Sequence, residues 1–161
     1  MDAFDREKAL RVWQRVRGTP EELRLAQLAS EELTDAAALL SLARRISGSR
    51  GRRLEQMARQ DREHAARLKG LLALTQGSVP RLRAGVLPVE RTDSLLRRCL
   101  ERKQRRTELY GAMGNNPEFG SIWNALAAQE EAHCSSLLEL LGLMSRSDSP
   151  PHTRQPRHRQ R

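Results

Sequence analysis

Read at alternating steps of three and four residues, four segments of this chain each present an apolar seam broken near its middle by two consecutive polar positions. The first runs Leu25, Leu28, Glu32, Asp35, Leu39, Leu42, Ile46, and the second Leu54, Met57, Asp61, His64, Leu68, Leu71. The third runs Leu96, Cys99, Lys103, Arg106, Tyr110, Met113, and the fourth Phe119, Trp123, Leu126, Glu130, His133, Leu137, Leu140. Four amphipathic helices carrying the same interruption at the same height imply a polar layer inside a bundle. Buried ionised groups cost several kcal/mol each unless they are paired or hold a metal, so such a layer needs an internal partner.

The breakers between the seams set the order of the elements. Asp5 to Arg17 places Ala9, Val12, Trp13 and Val16 at helical spacing and stops at Gly18, which predicts a short amphipathic helix in residues 1–18. Thr19-Pro20-Glu21-Glu22 joins a cap, a proline at the first helical position and a capping-box acid, and the helix it opens runs to Ile46. Ser47-Gly48-Ser49-Arg50-Gly51 is a short linker, so the second helix, Arg52 to Thr75, returns antiparallel and closes at Gly77. From Ser78 to Arg91 the chain carries Pro80, Gly85 and Pro88 without helical period and reads as a long crossover. Thr92 or Asp93 caps the third helix, which reaches Met113. Asn116 and Pro117 then start the fourth, to Met144. The expectation is an all-α four-helix bundle over residues 19–144 with one long crossover, a topology that ferritin-like proteins use.

Composition agrees. A chain of 161 residues makes one domain with a proper core, and 3% aromatic residues beside abundant Leu and Ala fit packed helices better than sheets. The net charge of +9 is mostly arginine. Arg146, Arg154, Arg157, Arg159 and Arg161 against Asp148, with Pro150, Pro151 and Pro156, predict a disordered basic tail over residues 145–161. Without a recognition motif or stacking aromatics, that tail supports only non-specific contact with nucleic acid. No run nears the roughly 18 apolar residues of a membrane span, and the first residues lack an apolar signal region, so a cytoplasmic protein without membrane contact is expected. Cys99 and Cys134 are too few for a disulfide framework and form no Cys-x-x-Cys pair; both read as buried thiols. Trp13 and Trp123 read as core or dimer-contact residues, and His152 and His158 belong to the tail.

The chemistry lies in the layer. The second and fourth helices repeat one motif, Asp61-Arg62-Glu63-His64 and Glu130-Glu131-Ala132-His133, each a carboxylate followed by a histidine on the same helical face. Anionic oxygen with neutral imidazole nitrogen suits iron or manganese.

These motifs resemble those of the rubrerythrin branch of the ferritin-like superfamily. Asp61 to Leu68 is similar to its second-helix motif, and Ala128-Gln129-Glu130-Glu131-Ala132-His133 to its fourth. Glu32, followed by Leu39 and Ala43, resembles its first-helix pattern with Leu in place of Tyr. The resemblance covers about residues 25 to 141. It implies a ferritin-like fold and a carboxylate-bridged two-metal centre that handles iron, oxygen or peroxide. Glu32, Asp61, His64, Glu130 and His133 would be its ligands, with Tyr110 nearby. On the third helix, however, Lys103 stands seven residues before Tyr110, where the family carries glutamate. Glu101 is no substitute, because two residues along a helix turn it about 200° away from the seam. Asp61 also shortens a bridging glutamate by one methylene.

Lys103 brings a fixed cation into the layer, so one ion is easier to hold than two. Two functional expectations follow. In one, a reduced iron site, with manganese as the alternative ion and with Lys103 and Tyr110 beside it, supports oxygen or peroxide redox as a peroxidase or ferroxidase, fed by a separate electron donor. In the other, Glu32 pairs with Lys103 and Asp35 with Arg106, no metal binds, and the bundle serves as a structural or interaction protein. The apolar N-terminal helix makes a homodimer the expected assembly.

Overall fold

The computed structural model describes residues 20–77 and 81–147. Among them are four helices and no strand: α1, Pro20–Arg45; α2, Gly48–Gln76; α3, Thr92–Met113; and α4, Gly120–Ser147. No helix of the described residues is long and apolar enough to cross a membrane. The predicted N-terminal helix, Trp13, and the tail with His152 and His158 lie outside the described residues.

The seams fold as read, into two apolar clusters. One joins Leu25, Leu28 and Ala29 of α1 to Leu68, Leu71 and Leu72 of α2, Tyr110 of α3, and Trp123 and Leu126 of α4. The other joins Ala36, Leu39 and Leu42 to Leu54, Met57 and Ala58, to Leu95, Leu96 and Cys99, and to Leu137 and Leu140. The start of α1 therefore lies with the ends of α2 and α3 and with the start of α4. Helices α1 and α4 run one way, α2 and α3 the other. Two consecutive parallel helices need a connection as long as the bundle, and residues 81–91 supply it along α1. Ser30 Oγ donates to the Arg83 carbonyl at 2.6 Å, the Gly85 N–H to Thr34 Oγ1 at 2.7 Å, and Arg45 Nη1 to the Glu90 carbonyl at 2.9 Å.

Three boundaries differ from the sequence reading. The glycine-rich stretch after α1 is the first turn of α2 and not a linker. Gly48 takes φ +76°, open to glycine at little cost, and a Cβ on Gly51 would lie 2.1 Å from the Ile46 carbonyl oxygen. The two glycines thus let α2 start hard against the end of α1. At α3, neither Thr92 nor Asp93 is the cap: Arg91 holds that position in extended conformation, without a side-chain bond, and Asp93 sits in the first turn. At α4, Asn116 Oδ1 accepts the N–H groups of Glu118 and Phe119 at 2.9 and 2.8 Å, as a cap does, but a turn over 117–119 precedes the regular helix at Gly120.

Candidate metal centre

Between the two apolar clusters, α1 contributes Glu32 and Asp35, α2 Asp61 and His64, α3 Lys103 and Arg106, and α4 Glu130 and His133. All eight side chains are buried, none more than 4% exposed. Glu101 is exposed, as its rotation off the seam requires.

Glu130 is the hub. Its Oε1 lies 3.1 Å from Lys103 Nζ, 3.3 Å from His64 Nδ1 and 3.5 Å from His133 Nδ1. On one side of it, His64 Nδ1 also approaches Glu32 Oε1 at 3.6 Å, and Tyr110 OH donates to that same Glu32 oxygen at 2.7 Å. On the other side, Asp61 Oδ1 lies 2.8 Å from Lys103 Nζ and 3.2 Å from His133 Nδ1. The five ligand candidates thus divide into a Glu32–His64 half and an Asp61–His133 half, with Glu130 shared and Lys103 in the second.

The Glu32–Lys103 pair expected from the seams is not formed. Lys103 reaches Asp61 and Glu130 instead, because Arg106 occupies the side facing α1: its Nε lies 3.4 Å from Glu32 Oε1 and its Nη2 donates to Asp35 Oδ2. The Asp35–Arg106 pair is therefore present, with Arg102 as a second cation on Asp35.

Two residues of this arrangement escaped the sequence reading. His64 Nε2 lies 2.7 Å from Gln129 Oε1, and His133 Nε2 lies 2.8 Å from Gln60 Oε1. Each glutamine directly precedes the carboxylate of its own helix and holds the histidine of the other. The signal was there as a longer repeat, Gln60-Asp61-x-x-His64 and Gln129-Glu130-x-x-His133. With a carbonyl oxygen as its partner, each Nε2 carries the proton, and the Nδ1 lone pair turns toward the carboxylates.

A lone pair facing a carboxylate oxygen at 3.2–3.6 Å is repulsive unless a cation lies between them. A proton can serve. Burial alone would lower the His64 pKa, but hydrogen bonding and charge from Glu130 and Glu32 outweigh it and raise it to about 9. His133 is raised as well, against its own desolvation, by Asp61 and Glu130. Burial works against the ionised carboxyls, yet Lys103 first of all holds Glu130 and Asp61 below the usual carboxylate range. Lys103 stays protonated, since Asp61 and Glu130 overcome the cost of burying it.

A metal ion can serve equally. Glu32, Asp61, His64 and Glu130 each bring a donor atom to within 4.8 Å of the other three, and this buried group could hold a metal ion. Glu32 Oε2, Asp61 Oδ2 and His64 Nδ1 have no hydrogen-bond partner in the protein. Three hard oxygens with one imidazole fit a divalent ion such as iron or manganese. Charge fits too, since three carboxylates balance Lys103 plus one divalent ion, while Arg106 answers Asp35. His133 Nδ1, also unpartnered, stands outside the four-donor group, on the Lys103 side.

No protein-family model, curated protein or solved structure matches this chain.

Proposed function

We propose that this chain is a ferritin-like, rubrerythrin-type metal-binding protein that holds one divalent iron ion at Glu32, Asp61, His64 and Glu130, with Lys103 standing where a second ion would otherwise sit. The observation that carries the reading is the convergence of four buried donors whose inward atoms lack protein partners while both imidazoles are pinned from behind by glutamine. The ion would supply one-electron redox toward oxygen or peroxide. The protein's own share is positional. Tyr110 holds one oxygen of Glu32, Lys103 neutralises Asp61 and Glu130, and the two leucine-rich clusters keep bulk water from the layer.

The test is elemental analysis after anaerobic Fe(II) loading and desalting. About one equivalent is expected in the parent chain, lost in Glu32→Ala and His64→Ala. Iron retained equally by both variants would remove the site.

A second reading has its own support. Lys103 already donates to both Asp61 and Glu130, and Arg106 to Asp35, so the layer has cations without any metal. In that case the bundle is structural, parent and variants hold no iron, and loading leaves the unfolding temperature unchanged.

A further inference from the structure

Arg106 has two faces. Toward the bundle axis its Nε and Nη2 meet Glu32, Glu130 and Asp35. Its Nη1 has no hydrogen-bond partner in the protein, and the nearest acid on that side, Glu31, keeps Oε2 3.9 Å away. The whole side chain is 1% exposed, so this is a buried donor with unused N–H groups, which costs about 1–3 kcal/mol or more for a charged group.

Arg106 also lines a surface groove of about 580 Å³ between α1 and α3, in the size range of small-molecule sites. Arg24 and Arg105 stand on its exposed walls, Leu28 and Leu109 give it apolar surface, and Glu31 and Glu108 complete the charge pattern. Three guanidinium groups against two carboxylates leave a surplus of one positive charge. That surplus suits a monoanion, whereas a multiply charged phosphate would meet Glu31 and Glu108. A planar guanidinium edge matches a planar carboxylate, and the leucines favour an apolar body behind it.

From this we infer that the α1–α3 groove binds a small organic monocarboxylate with an apolar body, its carboxylate seated on Arg106 Nη1 and steadied by Arg24 and Arg105. The site stands apart from the metal proposal and is testable on metal-free protein. Because the same guanidinium touches Glu32 and Glu130 from its other edge, an occupant would lie one residue away from the polar layer.

Benzoate is the probe, titrated into the full chain and followed by amide resonances in ¹H–¹⁵N spectra, with benzyl alcohol and inorganic phosphate as comparators. Saturable benzoate shifts are expected at Leu28, Glu31, Arg105 and Leu109, without saturation by benzyl alcohol and with weaker binding of phosphate. The exposed double variant Arg24→Gln/Arg105→Gln should weaken benzoate by roughly tenfold or more, the worth of one charge-assisted hydrogen bond. Arg106→Lys, which keeps a cation beside Asp35 but removes Nη1, should abolish it. Should Arg106→Lys lose its dispersed spectrum, the double variant decides alone. Equal binding of benzyl alcohol, tighter binding of phosphate, shifts confined to other surfaces, or benzoate affinity unchanged in the double variant would each overturn the proposal.

Discussion

The polar residue of greatest consequence is Lys103. A lysine ammonium is a compact cation that cannot ligate while protonated, and here it is wholly buried against two carboxylates. Its replacement separates the two readings of the layer. Lys103→Glu removes the fixed cation and adds a fourth carboxylate beside Asp61, His133 and Glu130, so iron bound per chain should rise from about one toward two equivalents. Elemental analysis reads the outcome, and no increase would mean that the second half of the layer is not a latent ion site. Lys103→Ala strands buried negative charge in the metal-free protein and should cost about 3–5 kcal/mol in a urea unfolding series. The glutamines act more gently. Gln60→Ala and Gln129→Ala leave the ligand atoms in place but free the imidazoles to turn, so iron affinity should fall about 10- to 100-fold with the fold retained. Competition against a chromogenic chelator checks this, and unchanged affinity in both variants would show that packing alone orients the rings.

At the scale of elements, the polar layer was legible because it obeys helical period. Every one of its eight residues sits where steps of three and four place it, and every one is buried. What period cannot reveal is the partner chosen across helices. Lys103 and Glu32 share a height, but the pairing is decided by Arg106, whose longer, forked side chain takes the α1 side. Element boundaries were misread for a related reason. Ser47 to Gly51 has the composition of a linker, yet Gly51 is glycine because backbone packs against backbone there. Gly51→Ala would drive a methyl group into the Ile46 carbonyl and part the α1–α2 hairpin, at a cost of about 1–3 kcal/mol typical of overpacking. Gly70→Ala is the control: a Cβ there meets nothing, and removing a mid-helix glycine should add up to about 1 kcal/mol of stability. Thermal unfolding of the pair would show opposite signs; a stabilised Gly51→Ala would mean that the close approach is not needed.

For the whole molecule, the layer is a seam of weakness unless its cations are present, and Cys99 reports on it. Its thiol is fully buried in the apolar cluster next to the layer, one turn before Lys103, and desolvation first of all pushes its pKa up to about 12. Only opening of the bundle core can make it a reactive thiolate near neutral pH. Cys134, 9% exposed and higher on its helix surface, should be modified first and is replaced by Ser to isolate the signal. A divalent ion that binds the folded chain lowers the open population by the factor 1 + [M]/Kd, about 100-fold when the free ion is 100 times Kd. In the Cys134→Ser chain, labelling of Cys99 by a thiol reagent should therefore slow by about that factor under anaerobic Fe(II), provided reclosing outpaces labelling. The same ion should leave the rate unchanged in the further variant His64→Ala. Equal slowing in both chains would place the ion elsewhere, and no slowing in either would leave the buried ion pairs as the layer's sole support.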